Sequence, residues 1–516
     1  MNLIDYLGRN AKNFPSRPAC RAGERTWTYA QLDDMATRTG HGMMAFGMGH
    51  ETPCAVISRN HVMGFTALLG ILKARGAWVP LNTGNAEEDH LYILEHFDVR
   101  VLFFQREFED FARRVRERVP TVKHFVCVDG TSEMGPDMTE WMALQPNHEL
   151  HLPWEPEGMC MLRGTGGTTG KPKGVMNTNR NFEVTIANYM AQMRFDKPPV
   201  YLAAAPLSHA AAVFAFVNMA MGGTMVILPK FEPQKVLEAI EAELVSFIYL
   251  PPTAVYGLLS HPAVGDHDYS SMRYFVYGAA PMSAAKLAEA IRCFGRVMTQ
   301  AYGQTEAPAG ITFLSPEEHF DADGNIDPKR LLSCGRADPF TRVALMDDEG
   351  NFVSRGAVGE IVVQGGIVMR GYYKNPQATA EVSRFGWHHT GDVAYEDEQG
   401  YYYICDRKKE MIITGGFNVY PLEVEQVILA HPGVQDCAVV GVPDEKWGEA
   451  IKAVVELKVG GEAAAEDLIA LCREKLGGVK TPKSIEFVET LPRSSVGKVM
   501  RRAVRDKYWV GHERRV

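Results

Sequence analysis

The sequence contains no pair of cysteines at a spacing that binds a metal or forms a redox motif. Its nine cysteines stand singly among 516 residues, so we expect reduced, mostly buried thiols of the kind found in cytosolic proteins. There is no long basic run and the net charge is −9, so we expect no nucleic-acid partner. A small acidic substrate remains compatible with this charge, because local cations capture anions whatever the overall sign.

Targeting signals are also missing from the sequence. The first residues lack the basic and apolar regions of a secretion signal, and the last three are not a peroxisomal signal. Residues 202–229 carry no Asp, Glu, Lys or Arg over a length that would suffice to span a bilayer. Because Pro206, His209 and the pair Gly222-Gly223 interrupt this stretch, it predicts a buried helix and a following strand. We therefore expect a cytoplasmic protein without an integral membrane segment.

The pattern along the chain predicts an α/β fold with more than one domain. Short β-branched runs alternate with amphipathic stretches, which indicates a large N-terminal region of layered α/β subdomains with partly parallel sheets. From residue 341 onward, strands around acidic glycine turns predict a small β-rich subdomain. The residues after Asp406 have an α+β pattern with apolar faces of their own. The predicted division is therefore 1–405 and 406–516.

Residues 163–174, with the sequence RGTGGTTGKPKG, form the most informative segment. Glycines remove side-chain bulk so that backbone N–H groups can close on an anion, while threonine hydroxyls and lysines add donors and charge for phosphate. The segment is not a Walker A loop, because Thr165 stands where glycine is needed and Lys171 precedes proline. A glycine-rich surface turn is the alternative. The candidate phosphate-binding residues are Thr165, Gly166, Gly167, Thr168, Thr169, Gly170 and Lys173.

This loop resembles the signature of the adenylate-forming superfamily, which contains acyl-CoA synthetases, firefly-type luciferases and peptide-synthetase adenylation domains. The family pattern is Thr-Ser-Gly-Thr-Thr-Gly-x-Pro-Lys-Gly, and this chain departs from it once, with Gly166 in place of serine. That change removes one hydroxyl donor and keeps the backbone N–H. The resemblance covers nearly the whole chain in the family's order, and it implies ATP, Mg²⁺ and coenzyme A as cofactors.

Two later motifs resemble the nucleotide-binding segments of the family. YGAAP at 277–281 looks like the adenine-binding segment, where small residues let a flat ring lie against the backbone. YGQTE at 302–306 implies that Tyr302 stacks on adenine, that Thr305 reaches phosphate and that Glu306 holds Mg²⁺, a hard cation that takes one or two carboxylates plus phosphate oxygens. By this resemblance, the ATP- and AMP-binding residues outside the loop are Gly278, Ala279, Ala280, Tyr302, Gly303, Gln304, Thr305, Asp392, Ile404, Arg407 and Lys498.

The remaining motifs resemble the parts of the family that hold ribose and move during the reaction. HTGD at 389–392 places Asp392 after a turn, suited to accepting both ribose hydroxyls, and Arg407 would contact the ribose as well. Asp406 occupies the hinge position of a mobile C-terminal domain. Lys498 corresponds to the family's mobile lysine, on a loop softened by glycine and serines. The resemblance thus assigns catalysis to Lys498, Glu306, Thr165 and Lys173.

A second resemblance concerns the acyl and coenzyme A sites. PLSHAAAVFAF at 206–216 looks like the segment that borders the acyl pocket, with His209 as a gate, although a hydrogen-bonded core histidine is the alternative. The residues implied for the acyl pocket are His209, Ala212, Phe214, Tyr249, Tyr277 and Ala307. They favour a fatty, aromatic or ring-bearing acid over acetate, and no arginine is clearly placed for a dicarboxylate. After rotation about Asp406, the passage for coenzyme A would be lined by Thr414, Gly415 and Gly416.

The function implied is ATP-dependent conversion of a hydrophobic carboxylic acid to acyl-AMP, followed by transfer to coenzyme A. ITGGFNVYP at 413–421 and PDEKWGE at 443–449 look like acyl- and aryl-CoA ligases. Loading of an acyl carrier protein and luciferase-type oxidation are the enzymatic alternatives. A non-catalytic nucleotide-binding scaffold is an alternative of another class, which the retention of Lys173, Glu306 and Lys498 argues against. The sequence leaves a homodimer possible.

Overall fold

The computed structural model describes residues 1–165, 171–494 and 497–510. The strands are, in chain order, β1 (Pro18–Ala22), β2 (Arg25–Thr28), β3 (Pro53–Ile57), β4 (Ala77–Leu81), β5 (Val101–Phe104), β6 (His124–Cys127), β7 (Met159–Thr165), β8 (Lys173–Thr178), β9 (Val200–Ala203), β10 (Thr224–Ile227), β11 (Phe247–Leu250), β12 (Tyr274–Gly278), β13 (Met298–Gln304), β14 (Ala307–Leu314), β15 (Arg336–Ala337), β16 (Arg342–Met346), β17 (Val358–Gln364), β18 (Gly371–Tyr372), β19 (Ser383–Arg384), β20 (Trp387–Glu396), β21 (Tyr402–Arg407), β22 (Ile412–Thr414), β23 (Phe417–Val419), β24 (Val434–Asp444), β25 (Gly448–Leu457) and β26 (Ser484–Val488).

The α-helices are α1 (Asp5–Asn13), α2 (Tyr29–Ala45), α3 (Val62–Lys73), α4 (Glu87–His96), α5 (Glu109–Arg118), α6 (Met138–Ala143), α7 (Asn179–Gln192), α8 (Ala210–Ala220), α9 (Pro233–Ala242), α10 (Pro252–Leu259), α11 (Ala284–Phe294), α12 (Pro376–Val382), α13 (Pro421–Leu429), α14 (Ala465–Leu476) and α15 (Arg501–Asp506).

Two large sheets carry the N-terminal region. One has seven strands in the order β18-β8-β7-β4-β3-β5-β6, and the other has nine in the order β15-β14-β13-β12-β11-β9-β10-β1-β2. Most of their strands pair in parallel, for example β3 with β4, and several strands toward the edges pair antiparallel, for example β13 with β14. Every residue of β3 and β4 is buried, as expected for parallel strands covered on both faces. The predicted layered α/β architecture with partly parallel sheets is confirmed.

A helical layer fills the space between the two large sheets. The largest apolar cluster joins α3, α8, one face of the seven-stranded sheet and one face of the nine-stranded sheet, through residues such as Phe65, Phe103, Phe216 and Phe275. Helix α8 is buried nearly all round, which explains its uniformly apolar sequence. The buried helix and following strand predicted within 202–229 are therefore confirmed as α8 and β10. Among the described residues, no helix is both long and apolar enough to cross a membrane.

The remaining two sheets belong to the later part of the chain. Strands β16, β17, β20 and β19 form the predicted β-rich subdomain, with β21 added beside β20. The last sheet has the order β23-β22-β25-β24, with β26 parallel to β25, and packs its own apolar cluster against α13 and α14. Strand β21 runs across the predicted boundary between residues 405 and 406. The division at that point stays a prediction.

One buried carboxyl makes the stability of this fold depend on pH. Asp338 is 3% exposed and receives one long hydrogen bond, 3.4 Å from Gln192 Nε2 to its Oδ1, and burial raises its pKa to about 7. The folded state therefore holds a proton that the unfolded state has lost between about pH 4 and 7, so Asp338 makes stability fall as pH rises through this range. We expect Asp338→Asn to raise the melting temperature by about 2–4 °C at pH 8 and to change it little at pH 4.5.

The measurement is thermal unfolding of the wild type and the variant at both pH values. Asp196→Asn is the matched control, because the Asp196 side chain is 96% exposed. An equal shift at pH 4.5 and pH 8 for Asp338→Asn would contradict the assignment.

Candidate active site

A cavity of about 630 Å³ lies where the two large sheets meet the β-rich subdomain and the segment after β21. Of the residues singled out in the sequence, those that line it are Thr165, Lys173, His209, Phe214, Tyr249, Ala279, Gly303, Gln304, Thr305, Glu306 and Arg407. The structure thus brings the phosphate, metal, ribose and acyl candidates to one space. The predictions for Gly166, Gly167, Thr168, Thr169 and Gly170 lie outside the described residues.

The predicted phosphate loop lies in sequence between β7 and β8, which pair antiparallel. Thr165 and Lys173 face each other at the open end of this pair, and Thr165 Oγ1 lies 3.5 Å from the Lys173 carbonyl oxygen, to which it donates. A Cβ added at Gly164 would lie 2.9 Å from Ile93 of α4, and one at Gly174 would lie 2.8 Å from Phe97. These glycines therefore let α4 pack closely against the strands that hold the loop.

Glu306 is held in place by a tyrosine that the motif search did not single out. Tyr372 donates its hydroxyl to Glu306 Oε1 at 2.7 Å, and the Lys173 ammonium lies 5.1 Å from the centre of the Tyr372 ring. Burial, and then the charge of Glu306, raise the pKa of the Tyr372 hydroxyl. Only tertiary packing joins these residues, because Tyr372 is on the short strand β18 beside β8.

The residues at this point fit a magnesium ion that is held chiefly by phosphate oxygens. Among the described residues, no group of three or more His, Cys, Asp or Glu is arranged to hold a metal. The buried Glu306 faces the cavity with an oxygen, Oε2, that makes no hydrogen bond to any described residue. One hard carboxylate oxygen beside a phosphate site is the kind of partial ligand set that Mg²⁺ uses.

The ribose candidate Asp392 is buried and does not line the cavity itself, but its neighbours Gly391 and Arg407 do. Tyr302 donates its hydroxyl to Oδ2 at 2.6 Å, and Arg407 donates Nε–H to Oδ1 at 3.1 Å. A carboxylate has about four lone-pair positions, so acceptor positions remain for ribose hydroxyls. The attraction of Asp392 raises the pKa of Arg407.

On the ribose side of the cavity, one expectation is wrong and two stay predictions for residues that the cavity lining does not include. Asp392 lies inside β20 and not after a turn, because Gly391, with φ +76°, distorts the strand locally without ending it. Tyr302 does not line the cavity, since its ring packs with the apolar cluster of the β-rich subdomain while its hydroxyl is bound to Asp392. Ile404 packs in that same cluster and does not line the cavity either.

The predicted adenine segment forms a strained turn at the cavity wall. Ala279 lines the cavity with φ +66°, a left-handed conformation that is rare for a residue with a side chain and that concentrates at functional sites. A Cβ at Gly278 would lie 2.3 Å from the Ala301 carbonyl oxygen, so only glycine fits there. Gly278 and Ala280 themselves do not line the cavity.

The acyl end of the cavity is apolar and partly aromatic. Phe214 and Tyr249 stack with ring centres 4.7 Å apart and planes 17° apart. The His209 ring nitrogen Nδ1 lies 3.1 Å from Asn82 Nδ2. Burial, and then the Arg163 cation, hold the pKa of His209 well below its usual range, so the imidazole is neutral at pH 7. The histidine therefore both lines the cavity and has a protein partner.

Three residues predicted for the acyl pocket do not reach it. Ala212 is on the opposite side of α8 from Ala210, Val213 and Phe214, which do line the cavity. Tyr277 pairs in register with Leu250, so it faces away from the side that Tyr249 occupies.

The Tyr277 hydroxyl makes its hydrogen bonds within the core instead. It lies 3.2 Å from Gln300 Oε1 and 3.1 Å from His319 Nε2. Ala307 is fully buried and packs with Ile311 and Cys334.

The structure also brings to the cavity an arginine that the sequence reasoning missed. Arg163 lines the cavity between Met161 and Thr165, while Leu162 packs in the opposite core cluster. Strand alternation puts positions 161, 163 and 165 on one face. The sequence could have indicated this position. If the segment before the phosphate loop is a strand, Leu162 and Arg163 point to opposite faces of it, and Arg163 shares its face with Thr165.

The segment that carries Lys498 packs against the N-terminal region. A Cβ at Gly497 would lie 2.7 Å from Thr253 Oγ1 of α10, which shows how closely the two approach. Lys498 does not line the cavity, and much of its side chain is exposed, but it lies within electrostatic range of Arg407, Glu410 and Asp392. Partial desolvation by the surrounding protein atoms, and then the Arg407 cation, lower the pKa of its amine.

The predicted hinge residue belongs to a buried ionic network. Arg501, which opens α15, donates from its Nη1 at 2.7 Å to Asp406 Oδ1 and at 2.7 Å to Glu410 Oε2. It also pairs with Glu425. Asp406 is therefore tied directly to the helix that follows the Lys498 segment, although it does not line the cavity itself.

The residues predicted for the coenzyme A passage lie outside the cavity in this arrangement. Thr414 is buried and pairs with Phe417 and Gly448, and a Cβ at Gly415 would meet Trp447 at 2.7 Å. Gly416, with φ +83°, has open space where a side chain would stand. In this arrangement Lys498 is near the site and the glycine loop is not.

Comparison with known proteins agrees with this geometry. Residues 7–373 match the AMP-binding enzyme family, and residues 423–498 match the AMP-binding enzyme C-terminal domain. The chain therefore belongs to the AMP-binding enzyme family, whose acid–thiol ligases form AMP.

Individual relatives cover nearly the whole chain. It is similar to the medium/long-chain-fatty-acid–CoA ligase FadD8 of Mycobacterium tuberculosis, with 37% identity over 98% of this chain and 90% of the relative. It is also similar to a feruloyl-CoA synthase of Amycolatopsis sp, with 36% identity over 97% of this chain and 98% of the relative. The solved structure of the amide bond synthetase McbA from Marinactinospora thermotolerans superimposes with a TM-score of 0.89 and 32% identity, covering 98% of this chain and 100% of that chain.

Proposed function

We propose that this protein converts a hydrophobic carboxylic acid to acyl-AMP with ATP and then transfers the acyl group to coenzyme A, releasing AMP and pyrophosphate. The observation that carries the proposal is the single cavity, in which Thr165, Lys173 and Glu306 adjoin the apolar wall of Phe214 and Tyr249. A cavity that joins a phosphate site to an apolar pocket places a carboxylate next to the α-phosphate of ATP. Proximity of this kind is a major source of rate enhancement.

The first half-reaction forms a mixed anhydride. A carboxylate oxygen attacks the α-phosphorus, a new O–P bond forms, and the bond to pyrophosphate breaks. Negative charge builds on the phosphoryl oxygens, so fixed cations and donors stabilise the transition state. In our proposal Lys173, Thr165 and Thr305 hold phosphate oxygens. Glu306 would hold Mg²⁺, which would supply neutralising charge to the phosphoryl oxygens when bound.

The second half-reaction breaks the anhydride. The coenzyme A thiolate attacks the acyl carbon, a C–S bond forms, and AMP leaves. We propose that the C-terminal domain first rotates about Asp406, which withdraws Lys498 and brings the Thr414-Gly415-Gly416 loop to the cavity. The network around Arg501 supports this reading, because it connects the hinge to the helix after Lys498.

Gly416→Trp is expected to abolish thioester formation and to leave pyrophosphate exchange within about twofold of wild type. A bulky side chain at this open position would fill a narrow passage, whereas the phosphate and acyl sites lie elsewhere. The two half-reactions are measured separately, by acid-dependent exchange of labelled pyrophosphate into ATP and by thioester formation from supplied acyl-AMP. Gly460→Trp, another glycine with positive φ and open space, is the control. Loss of exchange in Gly416→Trp would contradict the passage.

The substrate class that we favour is a fatty or aromatic monocarboxylic acid, and we place the reaction in the cytoplasm. The stacked aromatic wall supports a ring or a long chain over acetate. The two relatives, one named as a ligase of medium- and long-chain fatty acids and the other as a feruloyl-CoA synthase, support the same range. A homodimer stays open, and light scattering in solution tests it.

The test is AMP release against a panel of acids, each with and without coenzyme A. The panel holds a medium- and a long-chain fatty acid, a hydroxycinnamate, a benzoate and acetate. We expect release that depends on coenzyme A and is strongest for one hydrophobic class. Adenylate formation that turns over only with an acyl carrier protein would move the function to carrier loading. Failure to exchange pyrophosphate with every acid would favour a non-catalytic scaffold.

A further inference from the structure

The cavity holds an arginine for which the proposed mechanism has no use so far. Arg163 lines the cavity, and no hydrogen bond or ion pair joins its guanidinium to any residue that the structure describes. Such isolation is unusual, because a guanidinium in a protein interior is normally paired with an acid or bonded to carbonyl oxygens. None of its five donors is used by a residue that the structure describes, and the side chain lines the cavity that a ligand would enter.

Arg163 lies between the acyl end and the phosphate end of the cavity. It shares one face of β7 with Met161 and with Thr165, at the base of the phosphate loop. Its charge acts on Tyr249 and His209 of the acyl end and on Glu306 of the phosphate end. The guanidinium thus lies between the phosphate candidates and the apolar acyl end of the cavity.

The surroundings of Arg163 make an anionic ligand favourable. Arg163 is half-buried, and its partial desolvation lowers the pKa of the guanidinium to about 10, so it remains charged at pH 7 without a partner among the described residues. His209, the nearest titratable cation candidate at the acyl end, is neutral. Among the described residues at the acyl end, Arg163 is therefore the one that carries a charge at pH 7. A carboxylate could accept two charge-assisted hydrogen bonds from its guanidinium, and these would offset the cost of desolvating it.

We propose that Arg163 binds the reacting carboxylate of the acid substrate and orients one of its oxygens toward the α-phosphorus. The proposal rests on the proposed function, since it concerns the same site. It explains how an apolar pocket selects carboxylic acids over neutral molecules of the same shape. Arg163 acts by binding and does not exchange a proton, so its influence is on the adenylation half-reaction.

The test uses the full chain with Arg163→Met, Arg163→Lys and Arg292→Met, the last being an exposed arginine on α11. We expect Arg163→Met to raise the KM for the best acid about 10- to 100-fold while the KM for ATP changes less than about twofold. Arg163→Lys keeps the charge without the fork and should fall between wild type and Arg163→Met. Arg292→Met should match the wild type.

A binding measurement separates this role from a structural one. Calorimetry compares the acid with its primary alcohol, which has the same chain and no charge. Wild type should prefer the acid, and Arg163→Met should bind the two nearly equally while binding ATP as before. An unchanged preference, or a raised KM for ATP in place of the acid, would overturn the proposal. So would a loss confined to dicarboxylic acids, which would assign Arg163 to a second acidic group.

The failure of this inference is distinguishable from the failure of the proposed function. Absence of AMP release by the wild type with every acid would remove the function itself. An active wild type whose Arg163→Met variant keeps its KM for the acid would remove only the role of Arg163.

Discussion

Replacing Lys498 with alanine is expected to reduce acyl-AMP formation by more than about 100-fold and to leave thioester formation from supplied acyl-AMP close to wild type. The amine is within electrostatic range of Arg407 and Asp392, beside the ribose site, and its loop packs on Thr253. A cation in this place stabilises charge that develops only while the O–P bond forms. Thioester formation needs no such charge at the phosphorus, so it should not require the lysine.

The two half-reactions are measured as pyrophosphate exchange and as coenzyme A consumption with synthetic acyl-AMP. Lys507→Ala is the control, because Lys507 is exposed on the same C-terminal segment. Equal loss of both half-reactions in Lys498→Ala would exclude a role confined to adenylation and would point to damage of the domain. Melting temperatures of both variants check that the fold is intact.

Glu306→Gln is expected to lower the rate of adenylation by about 10²–10³-fold and to raise the Mg²⁺ concentration needed for half-maximal rate. In the wild type, the Tyr372 hydroxyl donates a hydrogen bond to Glu306 Oε1 at 2.7 Å. Glutamine keeps an oxygen that can accept this hydrogen bond, so the side chain should stay in place. The change removes the negative charge and replaces the oxygen that faces the cavity with an amide NH₂ group, which cannot bind a metal ion. The measurement is initial rate against Mg²⁺ concentration at fixed ATP and acid.

Tyr372→Phe supplies a graded comparison. It leaves the carboxylate and removes only the hydrogen bond that orients it, so we expect a rate loss of about tenfold, in line with one hydrogen bond to a charged group. Glu289→Gln, a carboxylate paired with Lys286 on α11, is the control for loss of one negative charge. A Mg²⁺ requirement that is the same in Glu306→Gln and wild type would contradict the assignment of the metal to Glu306.

Much of the fold was predictable because its signals are local. Helix α14 buries Leu468 and Cys472, which are four residues apart as the helical period requires, in the apolar cluster of the last sheet. The charge-free stretch within 202–229 proved to be a core helix and strand, as its prolines and glycines indicate. These features depend on the order of residues within one segment.

The predictions that failed depend on how distant segments align. Tyr277 and Tyr249 look equivalent in sequence, but the parallel register pairs Tyr277 with Leu250, so the two rings point to opposite sides of one sheet. Asp392 was expected after a turn, and it lies inside β20 because pairing with β17 and β21 continues past Gly391. Register is decided by many side-chain contacts between strands, which no single segment contains.

By itself the sequence determined the family, because its motifs occur in the family's order along nearly the whole chain. By the same resemblance it predicted which groups would hold phosphate and metal. Tertiary structure alone decided which of these side chains share a cavity. It set Tyr372 of the seven-stranded sheet against Glu306, which lies between β13 and β14 of the nine-stranded sheet. It also joined Arg501 to the hinge candidate Asp406, and it left Arg163 facing the cavity without a partner among the described residues. Side-chain direction follows from strand register and helix packing, and these arise only when the whole chain is folded.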